Sequence, residues 1–270
     1  MHRLVAASLA AGLSVGLTAA TSAADLGRPE PAPIYTKAPL APAPYSWTGF
    51  YVGANVGYGW GESTGDLDPN FPTSNNAVGA VNGGFIQSHL GVKPAGFIGG
   101  GQLGYNWQDG SWVWGLEADL QGSGIKDSKT ILFPGSALLV PSTTVTSDKL
   151  DWFGTVRPRA GFLVTPGVLL YGTGGLAYGD VKASVQETGN PIAAGSFGGA
   201  TNETRVGWTV GAGVEWKVTN NISVKAEYLH VDLGTTTVHT VDPVNFPTNF
   251  FDYKFKNVDE IARGGINYKF

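Results

Sequence analysis

The alternation of apolar and polar positions begins at Trp47 and continues to the last residue. From Phe50 to Trp60 every second residue is apolar, whereas the residues between them are mostly small or polar. A period of two is typical of a β-strand with one apolar and one polar face. The pattern therefore predicts strands over this part of the chain.

Eight segments show this alternation, and each has about the length that a tilted strand needs to cross a bilayer. They cover residues 50–60, 97–108, 112–121, 150–162, 168–179, 206–216, 223–228 and 262–270. In the fourth segment, Leu150 and Trp152 belong to the apolar face and Asp151 to the polar one. The faces of the fifth segment are mixed and are not assigned.

The links between these segments alternate between short and long. Short turns follow segments two, four and six, at Asp109-Gly110, Thr165–Gly167 and Asn220-Asn221. Long links rich in Gly, Ser, Thr, Asn and Pro cover 62–95, 123–148, 180–204 and 232–257. This pattern predicts an all-β fold, an eight-stranded antiparallel transmembrane β-barrel with short periplasmic turns and four long extracellular loops.

A secreted soluble sandwich or lipocalin-like barrel also alternates, but its apolar residues point inward. Here Trp and Tyr gather near the strand ends on the apolar face, as aromatic girdles do at the two lipid interfaces. These residues are Tyr58, Trp60, Trp107, Trp112, Trp152, Trp208, Trp216 and Tyr268. The opposite face is too polar for a soluble core, which favours the membrane barrel.

The segment before the barrel has two parts. Residues 1–23 have a positive start at Arg3, an apolar stretch and small residues at the end, the three-part pattern of a signal peptide. Cleavage after Ala23 or after Ala24 fits equally. Residues 24–46 are rich in proline and predict an extended periplasmic linker, followed by the barrel over 47–270.

Composition narrows the function classes. The chain has 40 glycines, 14% charged residues, a net charge of -4 and no cysteine. The absence of cysteine excludes a disulfide framework and thiolate chemistry. The negative net charge gives no indication of the basic surface that binds nucleic acid. A low fraction of charged residues, together with a balanced mean hydropathy, is consistent with a chain in which apolar and polar residues alternate at short intervals.

Charged residues on the polar faces would point into the barrel. They are Glu117, Asp119, Asp151, Arg157, Arg159, Glu215, Lys225, Glu227 and Arg263. An eight-stranded barrel is just wide enough to be filled by side chains, and buried charges need partners. We therefore expect a closed, salt-bridged core in the lumen. The alternative is a charge-lined channel or gate.

No pattern indicates catalysis, a metal or a cofactor. Gly99, Gly101 and Gly104 form GxGxxG, but a dinucleotide site needs a following helix that the alternation does not allow. The histidines show no metal-ligand spacing, and Ser223 and His230 have no evident acid to complete a triad. We expect a protein that is not an enzyme and carries no cofactor.

Several short stretches resemble the small outer-membrane immunogenic proteins, a porin-like family of the opacity/OmpA-type β-barrel superfamily. These stretches are Ala24–Leu26, Tyr35–Pro39, Trp47–Gly53, Tyr171–Tyr178 and Asn267–Phe270. The resemblance covers nearly the whole mature chain and is most specific in the opening and closing strands. It implies a surface antigen of the cell outer membrane of a Gram-negative bacterium, where it contacts lipid and supports the envelope.

The same resemblance implies roles for both ends of the mature chain. Ile266, Tyr268 and Phe270 resemble the C-terminal signal that the barrel-assembly machinery accepts. Some family members attach an amino-terminal Ala-Asp to peptidoglycan, and cleavage after Ala23 would leave Ala24 and Asp25 at that end. The expected function is structural. The alternative is a narrow porin for small solutes, which an eight-stranded lumen disfavours.

Overall fold

The computed structural model describes residues 46–68, 87–133, 141–189, 196–244 and 246–270. The predicted signal peptide, Ala24 and Asp25, and the linker up to residue 45 lie outside these ranges. No helix in the described ranges is long and apolar enough to span a membrane.

The described residues form nine antiparallel strands, most of them much longer than the segments that the sequence predicts. Their bounds are β1 Gly49–Leu67, β2 His89–Val92, β3 Ala95–Asp109, β4 Trp112–Phe133, β5 Ser142–Thr165, β6 Val168–Thr188, β7 Ser196–Lys217, β8 Ile222–Asp242 and β9 Phe246–Lys269. Each strand from β3 to β8 pairs with the next, and β1 pairs with both β3 and β9. The predicted antiparallel barrel is confirmed.

The ninth strand is the short β2, which the sequence reading did not predict. It pairs with β1 alone, from Ser63 to Asp66, beyond the point where the β1–β3 ladder ends at Trp60. Lys93 and Pro94 separate β2 from β3, because proline lacks the N–H that a ladder requires. Eight strands thus pair around the ring, and β2 extends one wall of it.

The prediction that 123–148, 180–204 and 232–257 are loops is wrong for most of their length. Strands β4 to β9 continue through these segments and pair in register, as Val185 with Gly199 and Thr236 with Phe255 show. Threonine and valine are frequent there, and both favour strands. Their polar outward positions hid the alternation, because these parts of the strands face water and not lipid.

The three short turns lie at one end of the barrel, which we call the turn end; the opposite end is the far end. The β3–β4 hairpin turns at Gly110 and Ser111, one residue later than predicted, because Asp109 pairs with Trp112. Gly110 has a φ of 57°, which glycine adopts at little cost. Pro166-Gly167 and residues 218–221 make the other two turns.

The outward face of the strands near the turn end is an apolar band. Its residues include Phe97, which is 80% exposed, and Val56, which is 71% exposed. We take the band, and hence the membrane-spanning part, as 50–60, 97–107, 112–120, 152–164, 168–178, 206–216, 222–228 and 262–270. Trp60, Trp107, Trp112, Trp208 and Trp216 all lie on this outward face, as an aromatic girdle requires.

Candidate functional site: the filled barrel interior

The charged residues of the polar faces meet inside the membrane-spanning part of the barrel. Alternation turns every second residue of β4, β5, β7, β8 and β9 inward, and eight of the nine predicted residues are buried there. They are Glu117, Asp119, Arg157, Arg159, Glu215, Lys225, Glu227 and Arg263, each at most 4% exposed. We call these eight residues the ion cluster. Four acids face four bases, so the cluster is neutral.

Arg157 is the centre of the ion cluster and is completely buried. Its Nη2 donates to Glu117 Oε1 at 2.8 Å and to Asp119 Oδ2 at 2.9 Å, and its Nη1 donates to Glu227 Oε1 at 3.2 Å. Glu117 is its partner in the β4–β5 ladder, whereas Glu227 reaches it from β8 across the lumen. One guanidinium therefore joins two separate walls of the barrel.

Arg263 and Lys225 close the same group of carboxylates from β9 and β8. Arg263 donates through Nε to Glu227 at 2.7 Å and through Nη2 to Asp119 at 2.9 Å. The Lys225 ammonium lies 2.8 and 2.9 Å from the two oxygens of Glu117. Each carboxylate thus has at least two charged donors, which a buried ion pair needs to offset its desolvation.

Arg159 and Glu215 form the part of the ion cluster nearest the turn end. Arg159 Nη2 donates to Glu215 Oε2 at 2.6 Å. The other oxygen of Glu215 accepts hydrogen bonds from Ser223 Oγ at 2.5 Å and from Asn267 Nδ2 at 2.8 Å. The short bond between guanidinium and carboxylate, among the stronger hydrogen bonds of proteins, joins β5 to β7. The bonds from Ser223 and Asn267 connect Glu215 to β8 and β9.

Two tyrosines that the sequence reading did not single out complete the ion cluster. Tyr51 Oη donates to Glu117 Oε2 at 2.7 Å, and Tyr171 Oη donates to Glu227 Oε1 at 3.1 Å. The guanidinium of Arg159 lies over the Tyr171 ring, 4.1 Å from its centroid, a cation–π contact. The alternation along β1 and β6 places both tyrosines on the inward face. Their roles, however, depend on partners from distant strands.

Glycines make room for these tyrosine rings. A Cβ at Gly104 would lie 2.4 Å from Tyr51 Oη, and a Cβ at Gly213 would lie 2.5 Å from Tyr171 Oη. Each ring therefore lies across a glycine of the neighbouring strand. The GxGxxG glycine Gly104 serves packing in the lumen.

The prediction that Asp151 joins the lumen network is wrong. Asp151 lies on the outer side of the barrel, where its carboxylate pairs with Lys149 and, at 2.6 Å, with Lys182. The β5–β6 register shifts between Leu150 and Trp152, and such a bulge places an extra residue in one strand. The shift also turns Leu150 inward, where it is 4% exposed, although the pattern predicts it on the apolar face.

Above the ion cluster, toward the far end, the interior is apolar. Ten buried residues form this apolar layer: Ile98, Ile125, Leu150, Phe153, Ala177, Val181, Leu229, Val231, Leu233 and Ile261. On β9 the order from the turn end is Arg263 of the ion cluster and then Ile261 of the apolar layer. A layer of hydrocarbon side chains across the lumen opposes the passage of hydrated ions.

A second apolar group, the far-end core, lies beyond the membrane-spanning band. It contains Leu90, Ala183, Val185, Phe197, Val238, Phe251, Tyr253 and Phe255. Glu187 is buried beside it and accepts a hydrogen bond from Tyr253 Oη at 2.9 Å. Burial away from water raises the pKa of Glu187 to about 7, and the bond from Tyr253 offsets only part of that effect.

The turn end is capped by Trp47, which is 2% exposed and precedes β1. Its backbone N–H donates to Gln108 Oε1 at 2.8 Å, and its indole N–H donates to the Pro166 carbonyl at 3.2 Å. Val113, Leu169 and Tyr171 pack with it. The cavity beneath Trp47 measures only about 10 Å³.

The candidates for assembly lie on the outer surface of β9. Ile266, Tyr268 and Phe270 are 51%, 48% and 71% exposed and face outward in the membrane-spanning band. The Phe270 ring contacts Tyr268 edge-on, with centroids 5.3 Å apart. Within the described ranges, no group of three or more His, Cys, Asp or Glu residues is arranged to hold a metal ion.

Comparison with known proteins agrees with this architecture. A family model described as outer membrane protein beta-barrel domain matches residues 35–259. The chain is 36% identical to a 31 kDa outer-membrane immunogenic protein of Brucella melitensis over 272 aligned positions, which cover 100% of both chains. It is 35% identical to a 22 kDa outer membrane protein of Rhizobium leguminosarum, over 73% of this chain and 68% of that one.

A 25 kDa outer-membrane immunogenic protein of Brucella abortus is 29% identical over 94% of this chain and 92% of the relative. These relatives and the matching family model are named for the outer membrane, in agreement with the apolar band. The chain therefore belongs to the outer-membrane β-barrel protein family and is an outer-membrane protein related to the outer-membrane immunogenic proteins of Brucella.

Proposed function

We propose that this protein is a non-enzymatic structural barrel that stabilises the outer membrane and displays its far end at the cell surface. The filled interior is the observation that carries this proposal. From the turn end, the lumen contains the Trp47 cap, the ion cluster, the apolar layer and the far-end core. A continuous stack of packed side chains suits a rigid body that remains in the membrane.

The neutrality of the ion cluster supports the same interpretation. The charges of the eight residues cancel, and the closest contacts between their charged groups measure 2.5 to 3.2 Å. A channel that attracts ions of one sign would need an excess of one charge along an open path. Cross-lumen pairs such as Arg157–Glu227 instead hold opposite walls together.

We expect surface display from the relatives, which are named immunogenic. The far end extends beyond the apolar band, and most of its outward positions are polar, so this part of the barrel lies in water. We place it outside the cell, with the short turns in the periplasm. The expected partners are outer-membrane lipid and, during assembly, the barrel-assembly machinery that recognises Ile266, Tyr268 and Phe270.

Single-channel conductance in a planar bilayer tests the structural proposal. The refolded mature protein, shown to be folded by its heat-dependent mobility on a gel, is compared with a variant in which Arg157 and Arg159 are replaced by glutamine. We expect no steady openings from the wild type. Steady openings whose conductance the replacements alter would overturn the proposal in favour of the narrow porin.

Attachment to the cell wall is a second part of the proposal. The linker of residues 24–46 begins with Ala24 and Asp25 if the signal peptide is cleaved after Ala23, and it could reach peptidoglycan from the turn end. Digestion of purified wall should release a peptide that begins at Ala24 and carries a wall fragment. An Asp25→Ala variant serves as the comparison, and a wall free of this peptide in the wild type would contradict attachment.

A further inference from the structure

A small cavity lies inside the barrel between the apolar layer and the far-end core. Its polar lining consists of Ser63 on β1, Asp148 on β5, and Asn257 and Asp259 on β9. These four side chains are between 2% and 6% exposed. Ile125, Leu150 and Val181 of the apolar layer also line it. The cavity measures about 10 Å³, room for a single water or ion.

Two oxygen atoms of this lining, Asp148 Oδ2 and Asn257 Oδ1, are buried without a hydrogen-bond partner in the described residues. The Ser63 hydroxyl lies beside the Asp148 carboxylate and interacts with it. Buried polar atoms in native proteins nearly always have a partner, because an unsatisfied one retains its full desolvation cost. Two such acceptor atoms at one cavity, with a serine hydroxyl beside them, therefore indicate a bound group that interacts with oxygen atoms.

The amide of Asn257 is oriented for this purpose. Its Nδ2 donates away from the cavity, to Thr236 Oγ1 at 2.9 Å and to the Gly234 carbonyl at 3.3 Å. These bonds leave Oδ1 as the atom without a partner. The side chain thus presents an oxygen and no N–H to the cavity, which suits a cation and not an anion.

The charge of the site is also unbalanced. Asp148 and Asp259 reach the cavity from β5 and β9, opposite walls of the barrel, and no ion pair reaches either carboxylate within the described ranges. The nearest acidic neighbours, Asp127 beside Asp148 and Glu260 next to Asp259, add negative charge. By contrast, the acids of the ion cluster are all paired. A bare pair of carboxylates at this depth is costly unless a cation balances it.

We propose that Asp148, Asp259, Asn257 and Ser63 form a buried calcium site that joins β1, β5 and β9 above the apolar layer. All four side chains offer oxygen, the ligand atom that Ca²⁺ prefers. Calcium is favoured over magnesium because Mg²⁺ gives up its water reluctantly, and a cavity of about 10 Å³ has no room for a hydrated ion. Bound calcium would fasten opposite walls of the far half of the barrel.

The test measures calcium binding and stability of the whole refolded mature protein in detergent at pH 8, after metal is removed with EDTA. Calcium chloride alone is the probe, and binding is followed by calorimetry and by the urea midpoint of unfolding. We expect one Ca²⁺ per chain with a Kd of about 0.1 to 1 mM, as in extracellular calcium modules. The midpoint should rise in 10 mM calcium, and less in 10 mM magnesium.

Two variants make the result specific. Asp148→Asn with Asp259→Asn should remove binding and the calcium response, while its midpoint in EDTA should match or exceed that of the wild type, because the two negative charges are gone. Glu62→Gln, next to Ser63 but exposed on the outer face, should keep the full response. Such a control separates the cavity from calcium bound at the surface.

Two results would overturn the proposal. One is a double variant that binds calcium as the wild type does. The other is a wild-type midpoint that 10 mM calcium does not change at pH 8. Neither result bears on whether the lumen conducts, so the calcium site and the structural function are tested separately.

Discussion

The guanidinium of Arg157 lies 2.9 Å from Asp119 Oδ2, although the two residues are not partners in the β4–β5 ladder. Arg157 pairs in register with Glu117, and Asp119 pairs with Thr155, which also donates to Asp119 Oδ2 at 2.8 Å. Through this diagonal contact, one arginine binds the acids at two successive inward positions of β4. Removing this arginine should therefore take one charged donor from each of three buried carboxylates, Glu117, Asp119 and Glu227, and leave the ion cluster with a net negative charge.

Replacement of Arg157 by methionine should lower the free energy of unfolding by about 3–5 kcal/mol, the usual cost of removing one partner from a buried ion pair. Urea titration in detergent micelles, followed by tryptophan fluorescence, measures the change. Combining Arg157→Met with Glu227→Gln should recover part of the loss, because the ion cluster is then neutral again.

The matched control for this prediction is Lys182→Met, which breaks the exposed pair with Asp151 on the outer face. Exposed pairs contribute little because water and salt screen them, so the midpoint should stay near that of the wild type. If both variants unfold at the same urea concentration as the wild type, the ion cluster does not stabilise the barrel.

Gly104 should tolerate no side chain. Gly104→Ala places a Cβ 2.4 Å from Tyr51 Oη and 2.7 Å from the Leu116 carbonyl, so Tyr51 must leave its position. We expect a loss of about 1–3 kcal/mol, the range for overpacked sites. In Gly101→Ala, the new Cβ faces lipid and its nearest neighbour is the Gly53 carbonyl at 3.6 Å. That variant should unfold like the wild type, and equal losses in the two would count against the tyrosine–glycine packing.

Glu187 should make the barrel less stable as the pH rises. Its folded-state pKa of about 7 lies above the usual value of 4.5, so between these values the unfolded chain releases its proton before the folded chain does. Stability is fully present below pH 4.5 and falls until about pH 7. At about 1.4 kcal/mol per pKa unit the loss is about 3 kcal/mol.

The variant Glu187→Gln should remove this part of the pH dependence, while Glu62→Gln, on the exposed outer face, should leave it unchanged. Urea midpoints at pH 4.5, 6 and 8 measure both. A wild-type midpoint that does not fall between pH 4.5 and 7, or a Glu187→Gln variant with an unaltered slope, would show that burial does not hold the proton on Glu187.

Loss of the terminal phenylalanine should reduce assembly and leave the finished barrel stable. Phe270 is 71% exposed to lipid, so Phe270→Ala removes little packing, but it alters the C-terminal pattern with Ile266 and Tyr268. Surface protein, measured by protease accessibility in whole cells, should drop several-fold. Phe50→Ala, at the same end and 66% exposed, is the matched control and should assemble normally. Equal surface levels of the two variants would argue against a terminal signal.

Period-two alternation was enough to predict which side of most strands faces inward. Trp60 and Phe97 point outward and Glu117, Arg157 and Arg263 inward because successive side chains of a strand lie on opposite faces. The order of short turns and long links was enough to predict an antiparallel ring. The chain itself therefore determined the barrel, its apolar band and most members of the ion cluster.

Other features depend on pairing between strands. The bulge near Asp151 reverses the parity of the rest of β5, and only the ladder with β6 shows where the extra residue lies. The sequence pattern predicts loops for the far half of the strands. There the strands have water outside and an apolar core inside, so the pattern is the reverse of the one in the membrane.

The partners inside the lumen were decided by tertiary structure alone. Arg157 meets Glu227, 70 residues away, and the cavity of Asp148 and Asp259 joins strands at opposite sides of the ring. Alternation specifies that a side chain points inward, but strand tilt and stagger set the height at which it meets the far wall. The sequence thus determined the faces of the barrel, and the closure of the sheet determined the contacts within it.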